Sequence, residues 1–198
     1  VSVDVGTGTR LVGMTKDFRP GEMAYTGNEL DLAIGSRGFF VFEGPGGVER
    51  YSRDGRFLKN GDGELVNSSG LGLDPNIQIP DDASSVVIAQ DGTVQVTFSD
   101  NTDLVTVGTI QMVDFVNPAG LKAVGGNMFM RTPESGEPII MDPDDGFVNL
   151  QQGFIENSNV DVAEELINMI VAQRSFELTS KVVETADQTM QVVNNLKR

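Results

Sequence analysis

The chain has its final proline at Pro143 and its final glycine at Gly153, so everything after Gly153 is compatible with one uninterrupted helix. Nothing upstream is free of turn residues over a comparable length. The helix is expected to begin near Asp161. Asp161 with Glu164 three residues later forms a capping-box-like start, and Glu165 places further negative charge at the positive end of the helix dipole. Lys197 and Arg198 suit the opposite end. About 38 residues at 1.5 Å each give a rod of roughly 57 Å. The roughly 155 residues before it would fold to a radius of gyration near 15 Å, a diameter of roughly 40 Å. With no proline or glycine to bend it, the helix is too long for the domain that precedes it.

Its surface does not resolve the mismatch by forming a simple zipper. At heptad spacing one column reads Val162, Met169, Phe176, Val183 and Met190, and is apolar throughout. The companion column reads Leu166, Gln173, Ser180, Asp187 and Asn194 and turns polar after its first member, whereas a two-stranded coiled coil wants both columns apolar. Ile167, Ile170, Val171, Leu178, Val182, Val192 and Leu196 lie off this seam. A helix lying on one surface has one apolar stripe; here apolar residues fall on more than one side. The helix either folds back on its own domain or docks against several neighbouring chains, and the distribution favours the second arrangement. A surface binding module with a coiled-coil stalk would need a cleaner seam.

Residues 27–156 read as short strands punctuated by glycine turns, an irregular all-β domain. "LDLAI" (30–34) and "GFFVFE" (38–43) are apolar, the latter on both faces. "NGDG" (60–63) and Asp91-Gly92 are hairpin signals. Val94, Val96 and Phe98 alternate with Gln95 and Thr97, as in a strand with one wet face. "LVTVGTIQMVDF" (104–115) reads as one longer strand whose apolar parity shifts around Gly108, a bulge signal. Residues 130–147 read as a polar surface loop with one short strand. Residues 1–26 read as an extended connecting segment with a strand in "RLVGMTKDF", and 157–198 as the terminal helix. The fold class is thus mainly β with a long C-terminal α-helix.

With 29 Asp and Glu against 14 Lys and Arg, the net charge is −15, which repels nucleic acid and anionic membranes. No apolar run approaches the roughly 20 residues of a membrane span. There is no Cys and no His, which removes thiol nucleophiles, disulfides, zinc fingers and histidine-based triads. "NGDGE" (60–64) and "DPDDG" (142–146) lack the calcium-loop spacing and read as turns. Glu164 and Glu165 are adjacent on a helix and read as dipole partners rather than a glycosidase pair. No cofactor, metal or catalytic residue is assigned, and no enzyme activity is expected. "VSVDVGTGTR" has none of the features of a signal peptide and reads as an internal start.

Four blocks carry a resemblance. "GNELDLAIGSRGFF" (27–40) matches G-N-x-L-D-x-A-I-x-G-x-G-F-F through Gly27, Asn28, Leu30, Asp31, Gly38, Phe39 and Phe40, with Ser36 in place of a glycine. "YSRDGRF" (51–57) contributes Arg53, Asp54 and Gly55. "LQQGFIENSNV" (150–160) contributes Gln152, Gly153, Glu156, Ser158, Asn159 and Val160. "SNVDVAEELINMIVAQRSFELTSK" (158–181) follows. In this order they resemble the flagellar rod and hook protein family. The resemblance implies a structural subunit of a helical homopolymer, a hollow shaft in the flagellar basal body that crosses the periplasm. Its subunits are exported through the flagellar type III channel. Proximal rod proteins, the hook protein and the surrounding ring bushing are implied partners. There is no room between residues 40 and 150 for the outer domain of a hook protein. The family's opening helix, with its S-x-N-L-A-N type motif, is absent, so the terminal helix is expected to lack that partner here. The family-block residues are expected to specify the fold, while Val162, Leu166, Met169, Ile170, Phe176, Val183 and Met190 are expected to contact other subunits.

Overall fold

A computed structural model describes residues 15–99, 101–143 and 148–196. The chain divides into one compact unit ending at Ser158 and a second beginning at Asn159. The start of the expected strand at residues 10–18, most of the acidic loop at 142–146, and Lys197 and Arg198 lie outside the described residues.

The first unit is built from short antiparallel strands, and β-branched and aromatic residues at their centres favour that conformation. They are β1 (Met23–Tyr25), β2 (Leu32–Ile34), β3 (Phe39–Glu43), β4 (Glu49–Ser52), β5 (Phe57–Lys59), β6 (Leu65–Asn67), β7 (Ala83–Ile88), β8 (Thr93–Phe98), β9 (Asn101–Thr109) and β10 (Met112–Asp114). There follow β11 (Lys122–Gly125), β12 (Met128–Met130), β13 (Ile139–Ile140), β14 (Leu150–Gln152) and β15 (Phe154–Glu156). A six-stranded sheet runs β11-β12-β4-β3-β10-β13. A three-stranded sheet runs β7-β8-β9, and β5-β6, β14-β2 and β1-β15 form pairs.

β3 is apolar on both faces because both are covered. Phe40 and Phe42 point into one core with Leu32, Phe57, Leu65, Ile110 and Met112. Phe39 and Val41 point into a second with Tyr51, Val113, Phe115 and Leu121. Successive side chains of a strand alternate sides, so one five-residue segment serves two cores. Phe57 meets Phe40 edge-on, with centroids 5.1 Å apart, and Tyr51 meets Phe115 at 4.9 Å. Each buried aromatic contributes roughly 1.5–3 kcal/mol. Burial, then the hydrogen bond it donates to Glu49, raises the Tyr51 hydroxyl well above its ordinary pKa.

Both expected hairpins form. Asn60 closes the first by accepting from the backbone N–H of Asp62 and of Glu64, each at 2.9 Å. Glu64 accepts from the Asn60 and Asn76 amides, which hold its carboxyl below the usual range. Those oxygens serve the turn. The expected long strand at 104–115 is instead two strands in different sheets. β9 ends at Thr109, and Ile110 turns inward to donate its N–H to the Gly92 carbonyl at 2.8 Å before β10 joins β3. The parity shift marks a real bulge: Val94 faces Gly108 while Gln95 faces Thr106, leaving Val107 extra.

Gly55, in the turn between β4 and β5, shows how tightly that turn approaches β2. Leu32 donates its N–H to the Gly55 carbonyl at 2.9 Å, and a β carbon on Gly55 would sit 1.8 Å from the Leu32 carbonyl oxygen. Backbone cannot yield as a flexible side chain can, so Gly55→Ala is expected to destabilise this unit by about 3 kcal/mol. Chemical denaturation checks this, and a neutral effect would refute the close-approach account.

The second unit is α1 (Val162–Leu196), 35 residues without interruption. Asp161 caps it, its Oδ1 accepting from the backbone N–H of Ala163 at 2.8 Å and of Glu164 at 3.3 Å. Among the described residues no helix is long and apolar enough to cross a membrane.

Candidate assembly interface

The strand that precedes the helix is anchored by a charge pair formed across 103 residues of sequence. Arg53 donates through Nε to Glu156 Oε2 at 2.9 Å and its Nη2 lies 2.8 Å from the same oxygen; the side chains are 14% and 11% exposed. The remaining guanidinium N–H groups reach the carbonyls of Gly38 at 3.0 Å and of Ser36 and Ile34 at 3.4 Å. Arginine suits this position because its planar fork satisfies several acceptors at once. Glu156 Oε1 accepts from the Gly21 N–H at 3.0 Å, and Asn157 donates to the Glu22 carbonyl at 2.9 Å. Met23 pairs with Glu156 in the β1–β15 ladder. Arg53 thus ties the turn after β4, the loop before β3, residues 21–25 and the last strand into one node. Gly38 has φ +121°, and a β carbon there would meet Met141 Sδ at 2.8 Å, so the carbonyl that Arg53 needs is presented by the one residue that fits.

A second node lies beside it. Asp31, buried, accepts from Thr26 Oγ1 at 2.6 Å and Asn28 Nδ2 at 3.1 Å, and its carbonyl accepts from the Gly153 N–H at 2.8 Å. The Gly153 carbonyl in turn accepts from the Thr26 and Gly27 N–H groups. The Gln152 side chain donates to the carbonyls of Glu29 and Val86, each at 2.8 Å, and accepts from the Ile88 N–H at 3.1 Å. It therefore satisfies backbone groups along β7 that face away from β8. Leu30 packs against the first core, and Asp54 accepts from Asn127 Nδ2 at 3.3 Å. Ser158, Asn159 and Val160 are exposed, where one unit gives way to the next.

The helix carries many exposed apolar residues. Val162, Leu166, Met169, Ile170, Phe176, Val183 and Met190 are all 50% or more exposed, Phe176 reaching 74%. At about 100° per residue these seven lie within roughly 80° either side of Val162. Ile167, Val171, Leu178, Val182 and Val192, also exposed, fall roughly 120–200° away, on the opposite face. The hydroxyls near that second face are already satisfied. Ser175, Thr179, Thr185 and Thr189 each donate to the carbonyl four residues earlier at 2.7–2.8 Å. Such back-bonding leaves no hydroxyl proton stranded if the face is covered.

Sequence comparison decides the family. The model for the flagellar hook protein FlgE/F/G D1 domain matches residues 33–96, and that for the flagellar basal body rod FlgEFG protein C-terminal region matches residues 151–196. The flagellar basal-body rod protein FlgG of Buchnera aphidicola is 40% identical over 98% of this chain and 75% of its own length. FlgG of Agrobacterium fabrum is 39% identical over the same shares. The chain belongs to the flagellar hook and basal-body rod protein family. FlgF of Caulobacter vibrioides is 32% identical, over 93% of this chain and 72% of its own length.

The two matched regions of this rod-family chain contain both halves of the Arg53–Glu156 pair, while Thr26, Asn28 and Asp31 of the second node lie ahead of the first region. Residues 33–96 supply Arg53, Gly38 and the β7 edge, and residues 151–196 supply Gln152, Glu156 and the helix. The node brings Gly38, Arg53 and Glu156 together, while Asp31, Asn28 and Gly153 meet in the neighbouring one. Missing from the sequence reading were Thr26, Gly21 and the pairing of Arg53 with Glu156. A motif arginine and a motif glutamate in separate blocks were the available signal.

Proposed function

We propose that the chain is a structural subunit of the distal rod, many copies of which stack into a hollow shaft that carries torque from motor to hook. The observation that carries this reading is the identity of 39–40% to FlgG rod proteins along nearly the whole chain, against 32% to an FlgF. In this reading the β unit makes lateral contacts and the helix supplies axial continuity, each apolar face covered by a different neighbour. Stiffness then arises from close-packed helix contacts, since packed interiors resist deformation. The family-block residues hold the fold: Arg53, Glu156, Asp31 and Gln152 spend their polar atoms inside the chain. Proximal rod proteins, the hook protein and the ring bushing are the neighbours along the shaft. Delivery is through the flagellar type III channel, which a chain without cysteine crosses free of crosslinks. The role is mechanical rather than catalytic.

The test uses a bacterium whose distal-rod gene is replaced by one encoding this protein. Deleting residues 162–198 is expected to abolish rod assembly while the unit ending at Ser158 retains cooperative thermal unfolding. Rods formed without those residues would overturn the reading.

A further inference from the structure

The chain carries twice as many acidic as basic residues, yet one cavity reverses the ratio. About 350 Å³ in volume, it lies within the first unit and is lined by Lys16, Arg19, Arg37 and Arg53, with Asp17 and Asp114 as its acidic groups. Arg53 is neutralised by Glu156 and Arg19 by Asp17 at 2.6 Å. Lys16 donates to the Leu121 carbonyl at 2.6 Å and forms no ion pair among the described residues. Arg37 is exposed, and its guanidinium makes no hydrogen bond or ion pair with another described residue. The floor is aromatic: Phe39 is packed edge-on by Phe18 at 5.4 Å and by Phe115 at 5.8 Å. Val116 at the rim is 81% exposed. Lys16 and Arg37 stand against the one unpaired carboxylate, Asp114, so the rim is net positive, and an apolar floor beneath it fits a segment that offers aliphatic side chains beside carboxylates.

The chain itself presents such a segment. Glu164 and Glu165 are adjacent and exposed, and neither carboxylate bonds another described residue. They are flanked by Val162, Leu166 and Ile167, exposed by 69%, 52% and 61%. On the rest of the helix the exposed carboxylates Glu177, Glu184 and Asp187 stand singly, and in the adjacent pair Asp81–Asp82 the first is held by Lys59. We propose that the cavity receives the first turn of the terminal helix from a second copy of the chain, with Arg37 and Lys16 facing Glu164 and Glu165. This rests on the reading that copies of the chain assemble, and it assigns the contact.

The same replacement strain tests it, with rods counted in isolated basal bodies. Arg37→Glu and Glu165→Arg are each expected to reduce rods at least tenfold, and the two together to restore them to within threefold. Purified single variants should keep the unaltered chain's thermal midpoint, since both positions are exposed. Undiminished rods with Arg37→Glu, or no restoration by the double exchange, would overturn the cavity assignment and leave the rod reading standing. Absence of rods with the unaltered chain would count against both. Restoration by Arg37→Glu with any acidic-to-basic change outside the first turn would assign the cavity to another segment and equally overturn the proposal.

Discussion

Glu156→Gln is expected to destabilise the β unit by about 3 kcal/mol, and Arg53→Met by about 3–5 kcal/mol. Glutamine keeps the shape of Glu156 but leaves the largely buried Arg53 guanidinium without its counter-charge; three carbonyls still accept from it, which sets the lower figure. Methionine leaves Glu156 charged and removes the donor for those carbonyls, so several buried acceptors lose their partner together. For a domain of this size the losses correspond to a fall of roughly 6–15 °C in Tm. The double variant should lose less than the sum of the two, because each single change already breaks the same pair. Thermal unfolding of the four proteins checks this; additive losses, or single losses under about 1 kcal/mol as for an exposed pair, would show that the node does not hold the last strand.

The helix faces should behave in the opposite way, with large effects on assembly and small ones on stability. Phe176→Glu and Leu178→Glu lie roughly 160° apart around the helix. Both positions are exposed, at 74% and 64%, and glutamate is a good helix former, so each variant should unfold within about 0.5 kcal/mol of the unaltered chain. If each face is covered by a neighbour in the rod, each change places a charge in an apolar contact and should cost about 2 kcal/mol or more per contact, roughly thirtyfold in association. Rod yield in the replacement strain reads this. A variant on either face that assembles normally would mean that face stays in solvent.

What could be read from the sequence was local. The unbroken helix follows from the positions of the last proline and glycine, and its start from Asp161, which caps it as its neighbours require. The NGDG and Asp91-Gly92 hairpins follow from turn chemistry, and the buried centre of β3 from an apolar run with no polar alternation. What could not be read was long-range. Nothing local says that Ile110 leaves one sheet and Met112 enters another, because both are apolar and both are buried. The Arg53–Glu156 pair joins residues whose neighbours give no periodic signal, and Gln152 looks like any polar strand residue until β7 lies beside it. The heptad columns indicated more than one apolar side. The helical coordinates sharpen that to two opposite faces, the second one already self-satisfied in its hydroxyls.

The chain has no cysteine, so single thiols can be placed without background. Phe176→Cys and Leu178→Cys should both react rapidly with a maleimide in the purified protein. In rods assembled from the same variants, the account predicts that both are protected, because two opposite faces are covered by different neighbours. Rapid labelling of either position in assembled rods would contradict it.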